Sequence, residues 1–242
     1  MKMDTAFYSD CGGRKKNEDS VLLEKNGGRL LALAADGLGG MGHGELASQD
    51  AVKFLAEALR GESVDEDALC DAIAQANGRI CEMQTDGMRM MTTIAALWVD
   101  ESAAIAATVG DTRIYQFREG RLHFQSIDHS AAQMAVFSGE ITAEEIRGFP
   151  GRSRLLRALG ADGRVAVDSC QLDIQPGDRF LLCSDGFWEL ITEEEMLRAC
   201  AGGSTAEQWL RAMRQVVAGR YTGGSDNNSA AAIVLEGGAH TV

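Results

Sequence analysis

The chain has 242 residues, 45% of them hydrophobic, and a formal net charge of −13. That length fits one large domain, and the apolar fraction excludes a disordered chain. The acidic balance excludes nucleic-acid and anionic-membrane partners, whose phosphates need Lys and Arg patches.

No apolar stretch approaches the length of a bilayer span, so no membrane role is expected. The N-terminal MKMDTAFYSD lacks the apolar core of a signal peptide. Six cysteines (Cys11, Cys70, Cys81, Cys170, Cys183 and Cys200) form no C-x-x-C pair. A cytoplasmic protein with reduced, mostly buried thiols is the expectation.

In chain order, the apolar run Leu30 to Gly37 reads as a buried strand ending on Asp-Gly. Gly44 to Arg60 carries Ala51, Phe54, Leu55, Ala58 and Leu59 at helical spacing. A second helix is predicted over Asp65 to Thr85, with Leu69, Ile73, Ile80 and Met83 on one side. Short β-rich runs follow at Thr92 to Val99, Ala103 to Val109, Arg113 to Phe117 and Leu122 to Ser126. Glu119-Gly120 marks a hairpin turn between the last two. Ala131 to Arg152 loses this regularity and reads as short helices around Ser138-Gly139 and Thr142 to Arg147. Strands return at Val165 to Leu172, Arg179 to Cys183 and Ala230 to Leu235. Between the last two lie two helices with capping-box starts, Thr192 with Glu195 and Ser204 with Glu207. Trp209, Leu210, Met213, Val216 and Val217 give the second of these a core face.

Strands interrupted by two blocks of paired helices, without βαβ alternation, predict an α+β layered sandwich. No Pro- or Ser-rich linker divides the chain, so a single domain over 1–242 is expected.

The run Phe180 to Gly186 also ends on Asp-Gly, and acidic spots lie at Asn17-Glu18-Asp19 and Ser225-Asp226-Asn227. An isolated Asp-Gly is a turn signal, and Asp86-Gly87 and Asp162-Gly163 are read that way. Asp36 and Asp185 differ because a packed strand delivers each of them rigidly. Glycine beside each aspartate lets the backbone approach closely, so the Gly37 carbonyl joins the candidate donors. Carboxylates from four remote points repel one another unless something positive stands between them. With only oxygen donors, that something is Mg²⁺ or Mn²⁺ rather than Zn²⁺. Two such ions lower the pKa of a shared water and clamp a phosphoryl oxygen. Arg14, four residues before Glu18, is the candidate grip on a phosphate. The bland alternative is a solvated basic cluster with Lys15 and Lys16. Read from the residues alone, the pattern points to metal-assisted phosphoester hydrolysis.

The ordered motifs R-KKNED, ADGLGG-MGHGELAS, MMTTIAALWVD, VGDTRIY, IDHS, RALG, LLCSDGFWELI and SDNNSAAAIVL resemble a bacterial member of the PP2C (PPM) family. The likeness runs from about Tyr8 to Leu235. It implies a metal-dependent serine/threonine protein phosphatase with a four-layer αββα sandwich, two antiparallel sheets flanked by helices. It implies that Asp36 bridges two Mn²⁺ or Mg²⁺ ions, with the Gly37 carbonyl on the second. Asp185 and Asp226 would hold the first ion, and Glu18 and Asp19 would support the second. Asp111 would help bind a third, weaker ion; otherwise it caps the turn before the next strand. Arg14 would grip the substrate phosphate, and Ala131 to Arg152 would be a mobile flap beside the site. The implied partners are phosphoprotein substrates and a cognate Ser/Thr protein kinase.

Three departures from the family pattern stand out. Leu38 occupies the position of a histidine that serves eukaryotic members as general acid. Met41 replaces a histidine frequent in bacterial relatives, with His43 two places on. Asn228-Ser229 replaces the usual Ile-Thr, a change expected to touch packing rather than chemistry. Asp128-His129-Ser130 has the letters of a hydrolytic triad, but adjacent loop side chains cannot supply triad geometry, so it is read as a structural turn. Met88, Met90 and Met91 are expected in the core, and Trp98, Trp188 and Trp209 as packing residues. Two other readings are a catalytically dead scaffold, which would have lost a metal-site acid, and a phosphatase dedicated to one regulatory protein.

Overall fold

The computed structural model describes residues 1–39, 42–61, 63–161 and 163–237. Among them, ten strands form two five-stranded sheets. One has the order β1 (Lys2–Asp10), β10 (Asn228–Glu236), β9 (Arg179–Cys183), β6 (Arg113–Arg118), β7 (Arg121–Gln125). The other runs β2 (Asp19–Asn26), β3 (Arg29–Asp36), β4 (Ile94–Val99), β5 (Ala104–Val109), β8 (Asp168–Leu172). Every pairing is antiparallel.

Strand periodicity builds three apolar layers from these sheets. In β3, Leu30, Ala32 and Ala34 face the other sheet, where they meet Ile233, Leu235 and Leu182. Leu31, Leu33 and Ala35 face outward onto α1 (Gly44–Ala58) and α2 (Glu66–Met83). Strand β10 divides in the same way. Ala231, Ile233 and Leu235 line the inter-sheet layer, while Ala230, Ala232 and Val234 face α6 (Ala206–Ala218). The α4 turn (Asp185–Trp188) and α5 (Glu193–Ala201) complete that outer layer. Helices, sheet, sheet and helices are thus stacked as an αββα sandwich. No helix among the described residues is long and apolar enough to cross a membrane.

Most predicted elements stand within two or three residues of their expected ends. Glu119 and Gly120 both have positive φ (49° and 71°), the two-residue hairpin geometry expected of that turn. Strands β1 and β2, at the start of the chain, were not among the predicted elements. Both have mixed burial that blurs the apolar signal. One capping box is shifted: Thr205, not Ser204, caps α6, with Gln208 as its partner. The thiols also differ from expectation: all six are free, but only Cys183 is fully buried and Cys11 is exposed. The expected turn at Asp162 and the substitution at Met41 lie outside the described residues.

Between β7 and β8 the chain leaves the sandwich through α3 (Ala131–Phe137) and a 3-10 helix at Ala143–Gly148. Arg147 ties this excursion to the core by donating to the carbonyls of Trp188 and Ile191 and to Glu193.

Trp209 is fully buried, meets Phe117 edge-on at 5.7 Å and donates its indole N–H to the Met196 carbonyl. Trp209→Ala should therefore destabilise the fold by about 3–5 kcal/mol in urea unfolding. A loss under about 1 kcal/mol would contradict its place in the core.

Candidate metal centre

Antiparallel pairing gathers the acidic strand ends at one end of the sandwich. Register sets Asp19 directly opposite Asp36, and Asp10 opposite Asn228. Cys183 stands opposite both Ala230 and Arg113, so the turns carrying Asp185, Asp226 and Asp111 open on the same side.

Asp36 is the last residue of β3. Its backbone N–H donates to Thr93 Oγ1 at 2.9 Å, and its carbonyl accepts from Thr93 N and Thr92 Oγ1. Gly37 follows and donates its N–H to the Glu18 carbonyl at 3.1 Å. A side chain at Gly37 would run into the backbone of Gly44 and Glu18, so only glycine permits this approach. Asp185 opens the single-turn α4, and Asp226 lies two residues before β10. Asp111, between β5 and β6, is buried, and its carbonyl accepts from Trp188 Nε1 at 2.9 Å. Arg14 stands at the mouth and donates to Asp226 Oδ2 at 2.7 Å, with 56% and 44% of the two side chains exposed.

The electrostatics are those of crowded, desolvated acids. Burial pushes the Asp36 carboxyl well above the usual range, and Asp19, Asp185 and Asp111 push it further. Asp111 is raised by burial and then by Asp185. Asp19 is pushed up to about 7, chiefly by burial, although Ser184 and Ser229 offset part of this. Asp185 is pushed up to about 6 by burial, then by Glu189 and Asp226. Glu18 is raised by burial and by neighbouring Glu45.

Whether these residues suit a dication turns on their unused oxygens. Asp19 Oδ1, Asp185 Oδ1 and Glu45 Oε2 are buried with no hydrogen-bond partner. Such oxygens are costly unless a positive group meets them. No group of three or more His, Cys, Asp or Glu among the described residues stands, as it is, in a geometry that could hold a metal ion. A hydrated Mg²⁺-type ion does not require one, since it keeps several waters and takes only one or two carboxylates directly. The donor chemistry therefore fits a hard, hydrated dication.

Several residues that shape this centre were not given a functional role in the sequence reading. Asn227 accepts from the Glu18 N–H and donates to the carbonyls of Cys11 and Lys16, binding the first acidic loop to the last. Ser184 donates to Asp19 Oδ2 at 2.7 Å and accepts from Ser229 N. Ser48 donates to the Glu18 carbonyl, and Glu45 pairs with Lys16 at 2.9 Å. The HGELAS segment at the start of α1 was the available hint for Glu45 and Ser48. His43 precedes α1 without capping it by its side chain. Asn228 accepts from Tyr8 and Tyr221, whereas Ser229 lowers the Asp19 carboxyl and donates its N–H to Ser184, so the Asn228-Ser229 change reaches the acids as well as packing. Asp128 forms a buried fork with Arg113, and Ser130 caps α3, so these two residues of the triplet are structural.

The sequence model of the protein phosphatase 2C family matches residues 12–220. The serine/threonine phosphatase stp of Listeria welshimeri is 34% identical over 206 residues, covering 80% of this chain and 81% of that one. The Ser-Thr phosphatase MsPP of Mycobacterium smegmatis, solved with cacodylate, superposes with a TM-score of 0.83 at 33% identity, covering 96% of this chain and 97% of that one. The catalytic domain of the phosphatase PstP, solved with two manganese ions, gives a TM-score of 0.79 at 31% identity, with 97% and 99% covered.

Raised carboxyls impose a pH dependence of definite sign on the metal-free fold. A carboxyl that binds its proton more tightly when folded loses stability as pH rises through the interval between its two pKa values. For Asp19 that interval runs from 3.8 to about 7, and for Asp185 from 3.8 to about 6. EDTA-treated protein should therefore melt several degrees lower at about pH 8 than at about pH 5.5, with Mn²⁺ restoring most of the loss. An unchanged or higher melting temperature at the alkaline end would contradict the crowding.

Proposed function

The chain belongs to the protein phosphatase 2C family, and from that premise we propose how its acidic centre hydrolyses phosphoserine and phosphothreonine on proteins. Asp36 would help hold both of two Mn²⁺ or Mg²⁺ ions, and the Gly37 carbonyl would help hold the second. Asp185 and Asp226 would hold the first ion, Glu18 and Asp19 the second, and Asp111 a third, weaker one. When bound, such ions supply a nucleophilic water at neutral pH and neutralise charge on the phosphoryl oxygens. Water would then attack phosphorus directly, a new P–O bond forming as the bond to the serine or threonine oxygen breaks, with no phosphoenzyme.

The chain's own side chains bind and orient. Arg14 lies at the solvent-facing mouth, where its planar fork can take two phosphate oxygens. Its partner Asp226 is exposed, and an exposed ion pair is worth at most about 1 kcal/mol, so exchange for a phosphate costs little. Asn227 and Ser184 fix the loops that carry the acids. Leu38 has no proton to give, so the leaving serine or threonine oxygen is protonated by another group.

Ala131 to Arg152 serves as a flap over substrate in a single-domain enzyme, and a Ser/Thr kinase in the cytoplasm places the phosphates it removes. The observation that carries the reading is the convergence of carboxylates from both sheets, with two aspartate oxygens buried and unpartnered.

Purified protein with Mn²⁺ should release phosphate from a phosphothreonine peptide and lose that activity in EDTA. Asp36→Asn should lower kcat by about a hundredfold or more, and Arg14→Ala should lower kcat/KM by about 10- to 100-fold. Turnover that survives exhaustive chelation, or a near-normal Asp36→Asn enzyme, would refute the scheme.

A further inference from the structure

His129 is buried on the loop between β7 and α3. It grips one residue, Gly110, twice: its backbone N–H donates to the Gly110 carbonyl at 2.9 Å, and its Nδ1 accepts from the Gly110 N–H at 3.0 Å. Because Nδ1 is the acceptor, the ring proton sits on Nε2, facing Asp168 Oδ2 at 3.1 Å. Asp168, the first residue of β8, is itself held by Arg157 at 2.6 Å. Asp168 thus fixes the tautomer that the Gly110 bond requires.

Gly110 has φ of 103°, and a side chain there would strike Thr93. It is the pivot that turns the end of β5 into Asp111. Trp188 holds the next carbonyl, that of Asp111, at 2.9 Å. The backbone on both sides of the Asp111 side chain is therefore pinned, by His129 before it and Trp188 after it.

His129 also stands at the root of the excursion. Its carbonyl accepts from Leu156 N at 2.8 Å, Ala131 N donates to the Arg154 carbonyl at 2.8 Å, and Ser130 bridges Leu155. The segments entering and leaving the excursion are zipped together there, and the His129 ring projects from that zipper to Gly110.

We propose that His129 is a positioning residue for Asp111, oriented by Asp168, which ties the root of the flap to the site of the third, weaker ion. Partners that orient a ligand from behind typically change metal affinity by about 10- to 100-fold when removed. The inference rests on the reading of Asp111 as a ligand, given above.

Manganese binding by calorimetry tests it, with thermal melting of each metal-free variant alongside. Asn places an acceptor where Nδ1 lies, Gln places its amide where Nε2 lies, and Leu supplies neither. His129→Leu and His129→Gln should weaken the weakest Mn²⁺ site by about 10- to 100-fold, while His129→Asn stays within about threefold of the parent. A purely structural filler would instead make metal affinity follow the melting temperature across all three variants, which would overturn the proposal. Wild-type affinity in the Leu and Gln variants would overturn it too, provided that Asp111→Asn loses the ion. If Asp111→Asn keeps every ion, the ligand reading falls and this inference falls with it, so the two failures are told apart. Should His129→Leu not fold, the contrast between Gln and Asn decides alone.

Discussion

A carboxylate taken out of water needs a positive partner, and this molecule meets that need in two ways. Asp128 and Asp178 are buried, and each is met by an arginine fork, from Arg113 and Arg118, at 2.6–2.9 Å. Those acids are neutralised within the chain. Among the described residues no Lys or Arg forms an ion pair with Asp19, Asp36, Asp111 or Asp185, and two of these keep a buried oxygen with no partner at all. The same sequence that places arginines beside structural acids leaves these four without one. This supports the proposal that a cation from solution meets them, in a binding site rather than a structural ion-pair network.

Crowding of this kind holds only if the backbone cannot relax away from it. Antiparallel pairing of β2 with β3 fixes Asp19 against Asp36, and the outward and inward apolar faces of β3 lock that strand between two layers. Side-chain bonds from Thr93, Asn227 and Ser184 then tie separate loops to one another. The sandwich acts as the restraint against repulsion, so fold stability and site charge oppose each other when no cation is present.

How far this was legible in the sequence follows from where the signals lie. Strands β3 and β9 were visible because long apolar runs ended on Asp-Gly, and that junction also disclosed Asp36 and Asp185. Strands β1 and β2 escaped because their faces are partly exposed and their alternation is diluted by charge. The αββα layering was legible only through the motif resemblance, since periodicity does not say which strands pair. Asn227, Ser184 and Ser48 were invisible as functional residues. A single polar residue that bonds to a remote backbone has no periodic signature, and its partners are up to 216 positions away. The capping box at Thr205 was missed by one place because Ser204-Thr205 and Glu207-Gln208 offer two equivalent frames, and backbone φ/ψ chooses between them.

The centre is graded from rigid to adaptable along its depth. Asp36 and Asp111 lie deep, Asp36 held through its N–H and its carbonyl and Asp111 through its carbonyl, as proposed ligand positions require. Arg14 and Asp226 form the rim, exposed and joined by one weak ion pair. If Asp226 holds a dication as proposed, the cation draws on the same carboxylate charge and weakens the rim pair. Arg14 would then be freer to take a new anion. Depth would thereby set the order of events, because the strongly held acids define the proposed site and the loosely held pair would admit the phosphate.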